Sequence, residues 1–232
     1  MTFLHLNHQP DKPLRHEVIS TALKMNMAGI NQGKSGNVSA RTSSGYIVTP
    51  TGIAYEKLKP EDIVAMVIDD NPDGTFEGDI LPSSEWRFHR DIYSARHDIN
   101  AIVHTHSIYA TALAVLGLEI PAFHYMVAAA GGNNIRCAPY ATFGTQTLSD
   151  LALVALLDRN ACLLAQHGMI SCGANLEKAL ALAIEVEALA KMYLEALKTQ
   201  QPIPVLDNTE MAIVLEKFLT YGQKSSSSIA SQ

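Results

Sequence analysis

Two short apolar runs that each close on histidine constrain the fold more than any other feature of the chain. Ala101-Ile-Val-His-Thr-His106 and Cys162-Leu-Leu-Ala-Gln-His167 are too short for helices and too apolar for surface loops, so both read as buried strands. A sheet therefore runs through the core, with imidazoles where its strands end. Side chains at i and i+2 of a strand share a face, so His104 and His106 can share one ion. A neighbouring strand could deliver His167, which is followed by Gly168, to the same point, and Glu85 could add a carboxylate from the first turn of a helix. Three imidazoles with one exchangeable oxygen ligand form the pattern of a catalytic divalent-metal site with room for substrate. A lone histidine at a strand end is ordinarily a packing or surface residue; the His-x-His spacing lifts this pair above that reading. His5, His8, His16, His89, His97 and His124 lack such spacing and receive no ligand role.

The rest of the chain supplies the helices that such a sheet needs. Apolar positions recur at helical spacing over residues 15–29, and a serine N-cap opens a helix over 83–96 with Glu85 and Trp86 in its first turn. Further helices are expected over 110–116 and 176–197, and β-like pieces over 38–41 and 45–49. Asp69-Asp-Asn-Pro-Asp-Gly74 reads as a hairpin-type loop. With 232 residues, 47% of them hydrophobic and 17% charged, the chain can bury a core without disulfide or metal staples. A net charge of −6 disfavours a phosphate backbone held by bulk electrostatics, so no nucleic-acid partner is expected. Cys137, Cys162 and Cys172 form no Cys-x-x-Cys pair and fit a reducing, cytoplasmic setting. No stretch reaches the roughly 18 apolar residues that span a bilayer, and the first residues lack the basic and apolar regions of a leader, so no membrane association is expected. We expect one domain over residues 1–223 and a mobile serine-rich tail over 224–232.

Three segments rich in glycine and small hydroxyl residues suggest an anion site. Gly36-Asn37-Val38-Ser39, Thr49-Pro50-Thr51-Gly52 and Pro82-Ser83-Ser84-Glu85 would each be an ordinary turn or cap alone. Converging, they offer backbone N–H groups and hydroxyls to a phosphate, with Ser83 and Ser84 at a helix start where anions are favoured. The run Gly29-Ile-Asn-Gln-Gly33-Lys34-Ser35 is not a nucleotide P-loop, because three residues rather than four separate its glycines and it follows a helical pattern. Ala128-Ala-Ala-Gly-Gly-Asn-Asn134 permits close backbone approach, and Tyr125 and Tyr221 are candidate proton donors.

In register along nearly the whole chain, Gly36-Asn-Val-Ser39, Thr49-Pro-Thr-Gly52, Pro82-Ser-Ser-Glu-Trp-Arg-Phe-His89, His104-Thr-His106, Cys137-Ala-Pro-Tyr-Ala-Thr-Phe-Gly144 and Gln166-His-Gly168 resemble the class II aldolase and adducin family. The resemblance implies an α/β single domain with a central, largely antiparallel β-sheet flanked by helices. It also implies a homotetramer with active sites between subunits. One divalent ion per subunit, Zn²⁺ or Mn²⁺, would be held by His104, His106, His167 and Glu85, and Glu85 could leave the metal to act as a base. Asn37, Thr51, Gly52, Ser83 and Ser84 match positions that bind the substrate phosphate. Tyr125 matches an acid that handles the proton of the C4 oxygen from the adjacent subunit, and Tyr221 matches a C-terminal tyrosine that closes the site.

The implied reaction is cleavage of a deoxyketose 1-phosphate to dihydroxyacetone phosphate and a small aldehyde through a metal-bound enediolate. The substrate would be L-fuculose 1-phosphate, or else 5-deoxyribulose 1-phosphate or 5-(methylthio)ribulose 1-phosphate. Thr105 and Tyr109 stand where the fuculose phosphate enzymes carry Asn and His, whereas some relatives with a His-Thr-His-Ser pattern act on the deoxypentulose phosphates, and the loop over residues 71–78 is a few residues longer. The same machinery would suit a pentulose-5-phosphate 4-epimerase. A non-enzymatic adducin-like module would lack the metal, and retention of all four ligands and both tyrosines argues against it.

Overall fold

The computed structural model describes residues 11–220, so Tyr221 and the serine-rich tail lie outside the described residues. Helix α1 (Lys12–Met27) is followed by strands β1 (Asn37–Arg41), β2 (Tyr46–Val48) and β3 (Val64–Met66). Helix α2 (Trp86–Ala95), strand β4 (Ala101–Thr105) and helix α3 (Ile108–Val115) come next. Strands β5 (Ile120–Pro121) and β6 (Asn134–Ile135) pair only with each other. Strand β7 (Cys137–Ala138), helix α4 (Gln146–Ala155), strands β8 (Ala161–Leu164) and β9 (Gly168–Gly173), and helices α5 (Leu176–Lys198) and α6 (Asn208–Thr220) complete the order.

The main sheet has seven strands in the order β3-β2-β1-β4-β9-β8-β7. Every pairing is antiparallel except β7 with β8, in agreement with the α/β architecture read from the sequence. Side chains alternate between two cores. Val38, Ala101, Val103, Leu163 and Met169 face one side, where α1, α3 and α5 pack. Ile102, Cys162, Leu164 and Ile170 face the other, where α2 and α4 pack. Each such fully buried aliphatic side chain stabilises the fold by about 1.5–3 kcal/mol. The period of two that makes both cores also fixes the site: His104 and His106 share parity with Ile102 and so belong to the α2 side.

The structure revises three sequence expectations. The strand expected over 162–167 stops at Leu164, and residues 165–167 form a tight turn into β9, which no periodicity had announced. β9, not β8, lies beside β4, so His167 arrives from the start of β9. The helix expected to hold Glu85 in its first turn begins at Trp86, with Glu85 as its N-cap residue. Helices α4 and α6 were not anticipated, although Thr145 caps α4 through its side chain.

The segment leaving His106 is anchored from across the molecule. Ser107, the N-cap of α3, makes no side-chain cap; instead the Glu187 carboxylate on α5 accepts from the Tyr109 and Ala110 N–H groups at 2.9 and 2.8 Å. A carboxylate there satisfies two orphan donors and opposes the helix dipole. Glu187→Ala is expected to cost about 1–2 kcal/mol, seen as a fall of roughly 2–8 °C in thermal midpoint for a domain of this size. Glu187→Gln should fall in between. An unchanged midpoint in Glu187→Ala would show that water caps α3 equally well.

Candidate metal centre and substrate cleft

His104, His106, His167 and Glu85 converge at one point, their ligating atoms all within 4.8 Å of one another. The three imidazoles form a propeller, with ring centroids 4.9 Å apart in each pair and interplanar angles of 71–77°. Main-chain packing aims them. His104 Nδ1 donates to the Met169 carbonyl at 2.9 Å, which leaves Nε2 facing the centre. There it lies 3.0 Å from His106 Nε2 and 3.0 Å from Glu85 Oε2. Gln166 adopts φ 56°, a left-handed conformation, and this tight turn presents His167. Its cost, about 1–3 kcal/mol, is borne by the surrounding packing. Glycine at 168 is required, since a Cβ would come 2.4 Å from the Thr105 carbonyl oxygen and 2.9 Å from His106 Cδ2.

The donor set fits a divalent cation. Glu85 Oε1, 3.1 Å from His167 Nε2, is buried without a hydrogen-bond partner, and leaving such an oxygen unpaired is expensive. Two imidazole nitrogens aimed at each other across 3.0 Å are tolerable only with a proton or a cation between them. Burial alone would raise Glu85, but the charge of His104, its hydrogen bond and the adjoining His167 hold the carboxyl far below the ordinary range. Burial alone would lower His104, but the charge of Glu85 and its hydrogen bond raise it. His106 is lowered to about 4 by burial and by the charges of His104 and His167, so it is neutral and available as a ligand at physiological pH. The site thus demands positive charge at its centre and presents nitrogen and oxygen donors to hold it.

A cleft of about 260 Å³ opens beside this cluster, lined by Ser35, Ser84, Tyr140, Phe143 and Gln166 as well as by Glu85, His106 and His167. The three anion-site segments do meet. Thr49 N donates to the Val38 carbonyl, Thr49 Oγ1 accepts from Val38 N, and residues 49–51 zip to 81–83 through Thr51 N to Leu81 O and Ser83 N to Thr49 O. Of the five residues expected to bind phosphate, Ser84 lines the cleft; Thr51 and Gly52 are exposed but do not line it, and Ser83 and Asn37 are buried. Ser83 Oγ accepts from Glu85 N, and the Asn37 amide is turned to Glu85. Lys34 Nζ donates to the Gly52 carbonyl at 2.7 Å, which puts a cation at the edge of these segments.

Other expected residues lie elsewhere. Tyr125 is half-exposed in a short 3-10 turn, stacked on His124, and is not among the residues lining the cleft. Thr105 has the opposite parity to the two histidines and is buried away from the cleft, and Tyr109 packs into the core on the α3 and α5 side. Within this chain, then, Thr105 and Tyr109 do not line the cleft. Tyr140 and Phe143 do, and their only sequence signal was membership of the Cys137–Gly144 motif.

Residues 16–194 match the Class II Aldolase and Adducin N-terminal domain family. The chain is 55% identical to the L-fuculose phosphate aldolase of Escherichia coli strain K12 over 209 residues, covering 90% of this chain and 95% of that one. It is 50% identical to the 5-methylthioribulose-1-phosphate/5-deoxyribulose-1-phosphate aldolase of Rhodospirillum rubrum, covering 90% and 92%. A solved structure of an L-fuculose 1-phosphate aldolase superposes with a TM-score of 0.84 at 40% identity, covering 91% of this chain and 98% of that one.

Gly168→Ala tests the geometry of the cluster. Overpacking of this kind costs about 1–3 kcal/mol, and the displaced β9 start should carry His167 out of reach. Loss of bound divalent metal, together with a lower thermal midpoint, is the expected result. Full metal content in the variant would mean that His167 is not held by this contact.

Proposed function

The chain belongs to the class II aldolase and adducin family, and from that premise we propose that it is a metal-dependent aldehyde-lyase splitting a deoxyketose 1-phosphate into dihydroxyacetone phosphate and a small aldehyde. The observation that carries this reading is the convergence of one carboxylate and three imidazoles beside a cleft to which Ser35, Ser84, Tyr140 and Gln166 contribute neutral hydroxyl and amide groups. The relatives are named for L-fuculose phosphate and for 5-methylthioribulose and 5-deoxyribulose 1-phosphates, and these are the substrates in view.

Glu85, His104, His106 and His167 would hold the ion, and Zn²⁺ and Mn²⁺ both accept such donors. Bound there, a divalent cation supplies Lewis-acid stabilisation of negative charge on the substrate oxygens, on the order of several kcal/mol. Asn37, Thr51, Gly52, Ser83 and Ser84 bind the phosphate through neutral donors and so orient the sugar. When the C3–C4 bond breaks, its electron pair stays on C3, the C4 hydroxyl loses its proton and C4 leaves as the aldehyde carbon. Glu85 delivers a proton to C3 to complete dihydroxyacetone phosphate, and in the condensation direction it removes that same proton. Tyr125 exchanges the proton of the C4 oxygen, and its half-exposed position outside its own cleft suits reaching into a neighbouring protomer of a homotetramer. Tyr221 closes the site. The free thiols of Cys137, Cys162 and Cys172 suit a cytoplasmic enzyme, and no helix among the described residues is long and apolar enough to cross a membrane.

A coupled assay for dihydroxyacetone phosphate, run with L-fuculose 1-phosphate and 5-deoxyribulose 1-phosphate, should show release that a chelator abolishes and added metal restores. The ratio of the two rates identifies the substrate branch. Metal-loaded enzyme that releases no triose phosphate from either would point instead to an epimerase. His106→Ala should lose both metal and activity. Glu85→Gln should keep part of its metal while turnover falls by about 10²–10⁴-fold; wild-type rates in these variants would overturn the assigned roles.

A further inference from the structure

Behind the Glu85 carboxylate, a continuous chain of buried polar side chains runs inward between the sheet and α2. Asn37 Nδ2 donates to Glu85 Oε2 at 3.0 Å, and Asn37 Oδ1 lies 2.5 Å from His89 Nε2. His89 Nδ1 lies 2.7 Å from Ser39 Oγ, which lies 2.8 Å from the Tyr93 hydroxyl. Ser39, His89 and Tyr93 are 0% exposed and Asn37 is 2% exposed. The donor and acceptor inventory fixes each proton in this chain. A carboxylate accepts only, so Asn37 turns its amino group to Glu85 and its carbonyl to His89. That carbonyl also accepts only, so His89 carries its proton on Nε2. The bare Nδ1 then accepts from Ser39, and Ser39 accepts from Tyr93. Burial, with the charge of His104, pushes His89 down to about 3, which keeps the ring neutral as this directed chain requires.

The sequence builds the chain from two periodicities. Glu85, His89 and Tyr93 recur every four residues and lie on one face across the start of α2, while Asn37 and Ser39 lie two apart on one face of β1. Apolar residues would fill these buried positions without a hydrogen-bonding requirement, yet the polar chain continues to the carboxylate that the proposed reaction needs.

We propose that His89 is a positioning residue: its Nε2 proton locks the Asn37 amide with the amino group toward Glu85 Oε2, pinning that oxygen and leaving Oε1 to exchange the proton with C3. The inference rests on the reading of Glu85 as the base.

The test compares the full-length enzyme with His89→Phe, His89→Gln, Ser39→Ala and Glu85→Gln. Phe keeps the ring volume and removes the donor, whereas Gln offers an amide N–H near the Nε2 position. His89→Phe is expected to lower kcat by about 10–100-fold and divalent-metal affinity, measured without substrate by chelator competition, by about 10-fold. KM should change far less than kcat, and His89→Gln should regain most of both losses. Ser39→Ala removes the proton that holds the His89 tautomer together with the acceptor of the Tyr93 hydroxyl, and is the smallest change of volume in the chain; it should lower kcat several-fold. Wild-type kcat and metal affinity in His89→Phe or in Ser39→Ala overturn the proposal. So do equal losses in the Phe and Gln variants with matched near-UV circular dichroism. If His89→Phe does not fold, Ser39→Ala and His89→Gln decide alone. A Glu85→Gln enzyme at the wild-type rate defeats the base reading whatever His89 does, whereas an inactive Glu85→Gln beside a fully active His89→Phe defeats only the positioning role.

Discussion

The centre of the molecule is organised by one electrostatic demand: a buried carboxylate and three imidazole nitrogens meet where a proton or a cation must lie between them. Unpaired, each of these groups would cost several kcal/mol of lost hydration, so the surrounding structure must hold them in mutual reach. The order β1-β4-β9 does this. β4 brings His104 and His106 on one face, the start of β9 brings His167 beside them, and β1 places Asn37 opposite His104 in the ladder. Glu85 comes down from α2 onto that same face.

Close backbone approach is the second requirement, and it explains the glycines. A Cβ at Gly36 would come 2.3 Å from the His104 carbonyl oxygen, as one at Gly168 would from that of Thr105 at 2.4 Å. Both strands that flank the histidine strand therefore enter the sheet on glycine. The chain around His106 is then fixed by the Glu187 carboxylate on the start of α3, which ties the position of His106 to a helix on the far face of the sheet. Stability and site geometry are one problem here, since the elements that bury the two cores are the ones that aim the imidazoles.

The polar chain from Tyr93 to Glu85 shows how the same two elements can pack through chemistry instead of hydrocarbon. Its members are consecutive on the faces of α2 and β1, and every donor in it has a single acceptor. Thr105 is buried and Tyr109 packs against the core on the α3 and α5 side, while Tyr140 and Phe143 lie exposed on the cleft.

The sequence by itself placed His104 and His106 on one face of a strand, and the family motifs in register around that strand picked out His167 and Glu85, whose ligating atoms the structure brings within 4.8 Å of theirs. It also indicated four of the six α-helices among the described residues, over residues 15–29, 83–96, 110–116 and 176–197. It did not determine β9, since Gly168-Met-Ile-Ser-Cys-Gly173 is mixed in polarity and its burial comes from being flanked by β4 and β8. Nor did it reveal His89 as part of the site, although the spacing Glu85, His89, Tyr93 was there to be read; a four-residue period has a partner only once β1 is known to lie against it. What only the tertiary structure decided is which strand neighbours which. Neighbours in a sheet are chosen by the packing of distant segments, and the convergence of residues 37, 85, 104 and 167 is a property of that choice rather than of any local pattern.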